Sequence, residues 1–407
     1  MLNKLISKHI FIIALALFLF SAFLGLLIRW NFVYPSHLIS YKNLVQGHSH
    51  VAFLGWGYLA TIGAVLMLFI PKKNRNNVAF KTTLFINIVC VFLMLFSFPL
   101  TGYKAFSIIL LSIFGISSYV LSFKVLKHIK GSDTSVKLIR FSIYYYLLSS
   151  IATWFLVFVI IKFGKSDLYY NTIYFYLHFL YNGFFVFSLF GSLFKVFENQ
   201  QIVVSEKYKR LFFIYLNIAC IPAYSLSVLW SNVSPFFYVV GFSAAILQLI
   251  SLLFLFKIFH QIKSQLKWTK LSKVLLIFLI VAYSLKIISQ VISAFPYIVE
   301  KSLALKPFFI IGYLHLFTLA FMSTLLMLIM SELGKIVLNT ILSKIGILIF
   351  LIGILLTEIL LFGQGFLILW QLKPISNYTI LLLISSCFLF FGIFLVLITQ
   401  VFNNKKV

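Results

Sequence analysis

Charged side chains are scarce in this chain of 407 residues, and acidic ones are almost missing. Only 10% of the residues are charged, with seven Asp and Glu against 33 Lys and Arg. Hydrophobic residues make up 62% of the chain, and its mean hydropathy is +1.10. A soluble domain carries about 25% charged residues, so this composition excludes an ordinary soluble protein. Lipid is therefore the expected solvent of the chain.

Cysteine is also rare. Cys90, Cys220 and Cys387 stand singly within apolar stretches and form no CxxC or CxxCH pattern. This spacing argues against a disulfide framework and against a covalently attached c-type haem. The chain also lacks a nucleotide-binding motif and a polar region large enough for a soluble domain.

Long apolar runs fill almost the whole sequence. A bilayer core of about 30 Å needs roughly 20 apolar residues per helical span. Twelve such windows follow one another with short polar breaks: 10–29, 46–70, 83–100, 105–126, 138–162, 171–196, 210–230, 236–259, 272–295, 307–330, 344–370 and 378–401. The first run has no small-residue cleavage site, so it predicts a retained helix and not a signal peptide. The sequence predicts an all-α polytopic membrane protein, folded as one transmembrane bundle over residues 1–407.

The basic residues follow the parity of the loops. Most of the 33 lie at the termini and in the even-numbered loops, and Lys286 lies inside the ninth span. The positive-inside rule then predicts that both termini are cytoplasmic, in the inner membrane of a bacterial-type cell. Anionic lipid is the expected partner of the basic face. Nucleic acid is not an expected partner, because no single basic surface is formed.

Eight histidines divide into two groups. His9, His37, His128 and His260 fall in loops or at helix ends, where a polar side chain needs no special explanation. His48, His50, His178 and His315 fall in spans 2, 6 and 10, where an ionisable residue indicates function by default. These spans run in one direction and place the imidazoles at similar depth, roughly 24 to 32 Å from the inner boundary. The alternative is that each histidine is hydrogen-bonded separately within the bundle.

Three local sequences echo each other. A small residue stands five places after His50, His178 and His315, and an aromatic residue stands six places after each. The intervals of four spans predict a pseudo-threefold arrangement of four-helix units over residues 1–130, 131–268 and 269–407. Neutral imidazoles from facing helices are typical axial ligands of a b-type haem. The small residue would let the flat macrocycle lie close to the helix.

Twelve spans with histidines on the second, sixth and tenth resemble the heme-copper oxidase subunit I superfamily, which includes the nitric oxide reductases. The resemblance covers the topology of the whole chain and implies a low-spin haem between His315 and either His50 or His48. It also implies that His178 is a ligand of a second metal, copper or another ion. The repeat phase favours His50 as the haem ligand, with His48 contacting the second metal or a haem propionate.

The sequence departs from that superfamily at two places. Span 7 has no histidine pair, and span 10 has only His315, so a standard copper-containing oxygen-reducing centre is not implied. The doublet of His48 and His50 also resembles the NnrS family of polytopic haem- and copper-containing proteins linked to nitric oxide metabolism. Because the two residues are roughly 200° apart around a helix, they cannot both face one ligand.

Lys286 and Glu358 are the two charges placed near mid-membrane. Intramembrane charges usually pair, so an ion pair is the simpler expectation. The alternatives are a step in a proton path towards the histidines, and a contact from Lys286 to a haem propionate.

Three functions are compatible with the sequence. The first is a haem-binding redox protein, an oxidoreductase for oxygen, nitric oxide or quinol, with electrons from quinol or a partner subunit. The second is a proton- or metal-coupled transporter. The third is a non-catalytic scaffold with an oxidase-like fold.

Overall fold

The computed structural model describes residues 5–35 and 39–403, which form helices joined by short connections, with no β-strand among them. Eleven of these helices are long and apolar enough to cross a membrane, and a bent pair of shorter helices makes a twelfth candidate if its two parts cross together. The prediction of an all-α polytopic membrane protein is confirmed. His37 and the two chain termini lie outside the described residues.

We number the spans α1 to α12 in chain order. They are α1 (Ile6–Val33), α2 (Tyr41–Phe69), α3 (Val78–Thr101), α4 (Ala105–His128), α5 (Thr134–Phe163), α6 (Asp167–Asn199), α7 (Glu206–Cys220 with Pro222–Ser231), α8 (Pro235–Ile262), α9 (Lys270–Ile292), α10 (Pro296–Glu332), α11 (Ile341–Leu369) and α12 (Tyr378–Phe402). The two parts of α7 meet at an angle of 50°. Each predicted window overlaps one of these spans, so run length and hydropathy were sufficient to find them.

The chain forms two compact units. Unit 1 comprises Met1–Ile129, Thr269–Leu276 and Leu314–Val407, and unit 2 comprises Lys130–Trp268 and Ile277–Tyr313. The boundaries at Ile129 and Trp268 fall where the sequence predicts the limits of the first two repeats. The single bundle and the threefold arrangement stay predictions.

Small residues bring α2 close to its neighbours in unit 1. A Cβ atom added at Gly55 would lie 3.1 Å from Leu17 Cβ of α1 and 3.0 Å from Val91 Cγ1 of α3. Next to it, the Trp56 ring stacks on Phe18 of α1 with ring centroids 4.6 Å apart. Without a hydrophobic driving force in lipid, helices associate through such close packing. Gly55 therefore serves the contact of three helices.

Glycines also join α11 to α12. A Cβ atom at Gly392 would lie 2.6 Å from the backbone nitrogen of Phe350, and one at Gly346 would lie 2.9 Å from the carbonyl oxygen of Gly392. The two backbones are close enough that no larger side chain fits between them. This is the small-residue packing expected of transmembrane helix pairs.

In unit 2 a glycine likewise allows close packing between α5 and α6. A Cβ atom at Gly183 would approach Tyr145 Cβ more closely than real carbon atoms do. The opposite face of α5 exposes large apolar side chains: Ile151, Trp154, Phe155, Val157 and Phe158. A continuous apolar surface of this kind is unfavourable in water and favourable in lipid.

We expect Gly183→Ala to destabilise the protein by about 1–3 kcal/mol, because the methyl group overpacks the contact with Tyr145. Gly115→Ala is the matched control, since nothing lies within 4 Å of its added Cβ atom, and alanine is a better helix former than glycine. Thermal unfolding in detergent measures both. Equal unfolding temperatures for the two variants would contradict the close α5–α6 contact.

Candidate functional site

The three helices that carry the predicted histidines share an unusual local geometry. In each one the regular α-helix ends at the histidine and continues as a wider π-helix: Val51–Tyr58 after His50, Phe179–Phe185 after His178 and Leu316–Ser323 after His315. Such segments are rare and occur frequently at functional sites. The similarity of the three local sequences is therefore accompanied by a π-helical segment at each of the three places.

The His48 side chain is held against α1 by hydrogen bonds and close packing. Its Nδ1 donates a hydrogen bond of 2.8 Å to the carbonyl oxygen of Ser21, and the Ser21 hydroxyl donates to the carbonyl oxygen of His48 at 3.1 Å. The ring packs on Gly25, where an added Cβ atom would lie 3.0 Å from His48 Cε1. With the proton on Nδ1, the Nε2 lone pair is available, and no described residue is hydrogen-bonded to it. Ligating histidines are typically oriented by such a bond to a carbonyl.

His50 points instead towards α3. Its Nδ1 donates to the carbonyl oxygen of Gln46 at 2.8 Å, and its Nε2 accepts from the Tyr103 hydroxyl at 3.1 Å. The ring stacks on Phe98 with centroids 4.2 Å apart. Both nitrogens are thus in use. The geometry favours His48 over His50 as a ligand, the reverse of the preference drawn from the repeat phase.

His315 has a buried ring nitrogen that no described residue satisfies. Its Nδ1 is buried and has no hydrogen-bond partner among residues 5–35 and 39–403. Leaving a buried polar nitrogen unpaired costs about 1–3 kcal/mol. An external ligand is one way in which this cost is removed.

The helices of His48 and His315 contact each other within unit 1. Trp56 Nε1 of α2 donates a buried hydrogen bond of 2.8 Å to Ser323 Oγ of α10. The imidazoles of His48 and His315 and the guanidinium of Arg29 lie close enough to interact electrostatically. Unit 1 therefore combines two imidazoles, each with a nitrogen that no described residue uses, and one cation.

Arg29 adds a cation to this group. In the part of the chain that the structure describes, the ion pairs involve Glu198 and Glu206, and none involves Arg29. The same described residues hold no cluster of three or more His, Cys, Asp or Glu side chains that could bind a metal ion. The expected metal roles of His48 and His178 stay predictions.

His178 is satisfied within unit 2. Its Nε2 donates to the carbonyl oxygen of Cys220 at 2.8 Å, and its Nδ1 accepts from Asn182 Nδ2 at 3.3 Å. The Cys220 carbonyl is available because α7 breaks there, and the Tyr224 amide bonds to Ile221 instead. His178 thus replaces a lost helical hydrogen bond. This is the alternative in which a histidine is bonded separately within the bundle.

The two mid-membrane charges belong to different units. Lys286 is 1% exposed, and its Nζ lies 3.4 Å from Gln248 Oε1 and 5.6 Å from the centre of the Tyr283 ring. Within unit 1 neither carboxylate oxygen of Glu358 has a hydrogen-bond partner. The ion pair between Lys286 and Glu358 stays a prediction.

Two of the small residues that follow the histidines contact neighbouring helices. Gly55 meets Leu17 and Val91, and Gly183 meets Tyr145. The room beside these helices is therefore taken by neighbouring helices. The close approach of a macrocycle to these helices stays a prediction.

The remaining histidines in described residues are ordinary. His9 Nδ1 lies 3.1 Å from Ser7 Oγ, His128 Nδ1 donates to the Lys124 carbonyl oxygen at 2.8 Å, and His260 is exposed. Sequence reasoning missed Ser21 and Gly25, since small residues carry no signal of their own. Arg29 did carry one, as a charge inside the first apolar run.

Comparison of the sequence with protein-family models and with curated protein sequences found no match.

We expect His178→Ala to lower the free energy of unfolding by about 2–4 kcal/mol, because it leaves a cavity and removes the partner of the Cys220 carbonyl. Thermal unfolding in detergent is the measurement. His260→Ala, at an exposed site, is the control and should leave the unfolding temperature unchanged. An unchanged temperature in His178→Ala would show that its hydrogen bonds are dispensable.

Proposed function

We propose that this chain is a haem-binding redox protein of the membrane, with a b-type haem held in unit 1 between His48 and His315. The observation that supports it is the contrast among the histidines of unit 1. His50 has both ring nitrogens in use, whereas no described residue is hydrogen-bonded to Nε2 of His48 or to Nδ1 of His315. Two neutral imidazoles from contacting helices are a common axial ligand set for haem iron.

The contacts that hold His48 against α1 support its assignment as a haem ligand. The bond from Nδ1 to the Ser21 carbonyl fixes the tautomer, and Gly25 allows the ring to lie against α1. A ligand oriented in advance loses little conformational freedom when it binds iron. His315 gains more, because the iron would remove the cost of an unpaired nitrogen.

Arg29 fits the acidic edge of the same cofactor. Its guanidinium has no ion-pair partner among the described residues and lies near both imidazoles. Arginine binds carboxylates through paired N–H donors, so a haem propionate would supply the missing anion. The sequence assigned the propionate contact to Lys286 or His48, and the proposal transfers it to Arg29.

A b-type haem supplies one-electron transfer and the capacity to bind a diatomic gas. The residues of this chain would hold it, fix its orientation and keep water away. The bilayer surrounds the spans, so electrons would come from quinol or from a redox partner subunit. Oxygen or nitric oxide is the proposed class of substrate, by resemblance to the two families named above.

The ligand assignment predicts which histidines are needed for haem. Purified protein should show b-type bands in the reduced-minus-oxidised spectrum, and His48→Ala and His315→Ala should each abolish them. His50→Gln is the matched control, two residues from His48, and should keep the bands. Gly25→Ala should lower haem affinity roughly tenfold, because the methyl group displaces the imidazole.

The spectra also separate the alternatives. Loss of the bands in His50→Gln but not in His48→Ala would restore the assignment drawn from the repeat phase. A colourless protein after supplementation with haem would refute the proposal. Bands without turnover of oxygen or nitric oxide would favour the non-catalytic scaffold.

Proton-coupled transport is a second candidate, favoured by Lys286. This cation is buried in unit 2 beside Gln248 and Tyr283 and has no acidic partner in that unit. Buried cations within membrane spans commonly lie on ion or proton pathways. A lysine that loses and regains its proton would serve such a path.

Proton uptake into proteoliposomes tests this candidate. Under an imposed potassium diffusion potential, the wild type should acidify the lumen, and Lys286→Met should fall to the rate of empty liposomes. Lys263→Met is the control, because Lys263 is exposed at the end of α8. Equal rates of acidification in the wild type, Lys286→Met and Lys263→Met would exclude Lys286 from proton transfer.

A further inference from the structure

A basic cavity lies at one end of unit 1, and none of the residues that line it is a histidine. It has a volume of about 300 Å³ and is lined by Ile6, Ser7, Met67, Lys72, Arg75, Asn76 and Lys335. These residues come from the start of α1, the end of α2 with the connection to α3, and the residues after α10. Three of them are cations and none is acidic. The proposed haem site uses none of these residues.

Two of the cations are held in place by the ends of helices. Arg75 Nη1 donates to the carbonyl oxygens of Met67 at 3.0 Å and Leu66 at 3.5 Å, in the last turn of α2. After α10, Gly334 adopts a φ of 64°, and the Lys335 amide bonds to the Met330 carbonyl at 2.9 Å. This turn ends α10 and fixes the backbone of Lys335 beside the cavity.

No ion pair joins the three cations of the cavity to an acidic residue in the described part of the chain. The ion pairs in residues 5–35 and 39–403 are formed by Glu198 and Glu206 with lysines of unit 2, and none includes a cation of the cavity. Like charges that face one small volume repel each other. The negative ends of α2 and α10 compensate part of this charge. That compensation accounts for Arg75, which contacts the carbonyls directly, but not for Lys72, which is exposed.

We propose that this cavity binds a phosphate group, and that an anionic lipid headgroup is its source. Guanidinium, ammonium, amide and hydroxyl groups are all donors that bind phosphate. Ile6 and Met67 add an apolar wall, which suits a headgroup that continues into acyl chains. The cavity lies where membrane spans end, the level at which basic pockets meet lipid headgroups.

Thermal unfolding of the full chain tests the site, with tryptophan fluorescence as the readout. One arm adds short-chain phosphatidylglycerol or phosphatidylcholine to detergent-purified protein. The other arm adds inorganic phosphate or chloride at matched ionic strength. We expect phosphatidylglycerol to raise the unfolding temperature more than phosphatidylcholine does. In Lys72→Gln/Lys335→Gln its apparent dissociation constant should rise roughly fivefold for each lysine removed.

Lys73→Gln is the matched control, because Lys73 is adjacent to Lys72 and does not line the cavity. Arg75 is left unchanged, since its contacts to α2 would confound stability with binding. Stabilisation by inorganic phosphate alone, lost in the double variant, would keep the phosphate site and assign it to a soluble anion. The proposal is overturned if neither arm stabilises the wild type, or if Lys73→Gln loses as much affinity as the double variant.

Discussion

The absence of water inside a lipid-surrounded bundle is the constraint on which the rest of this structure depends. A polar group there must find its partner in the protein or in a bound ligand. His178 meets the constraint by taking a carbonyl that a helix break has released, and His50 meets it with Gln46 and Tyr103. Among the histidines of α2, α6 and α10, Nε2 of His48 and Nδ1 of His315 are exceptions, because no described residue is hydrogen-bonded to them. The proposed site follows from these exceptions.

The same constraint explains which features of the structure could be predicted from the sequence. The spans and the all-α class were predictable, because hydropathy over a run of residues measures the very property that lipid selects. The direction of each imidazole was not predictable. His48 and His50 are two residues apart, and their roles are decided by Ser21 on α1 and Phe98 on α3. Those contacts depend on which helices are neighbours, which a local pattern cannot encode.

Composition explains why so many cations lack acids. With seven acidic residues against 33 basic ones, most positive charges must be stabilised by other means. Lys286 uses an amide oxygen and an aromatic ring, and Arg75 uses the carbonyls at a helix end. For Arg29 and Lys335 we propose that an external anion is the partner. The small number of acidic residues therefore favours the binding of anionic ligands at these two cations.

The π-helical segments separate two tasks that an ordinary helix would couple. Each hydrogen bond in such a segment spans five residues where an α-helix spans four, so the turn holds extra chain. Loss of one residue would allow it to tighten and would rotate the histidine by about 100° against the part of the helix below. The direction of the imidazole and the packing face of the helix can therefore change independently during evolution. Single-residue insertions and deletions, normally disruptive inside a span, become at these three places a means of redirecting a side chain.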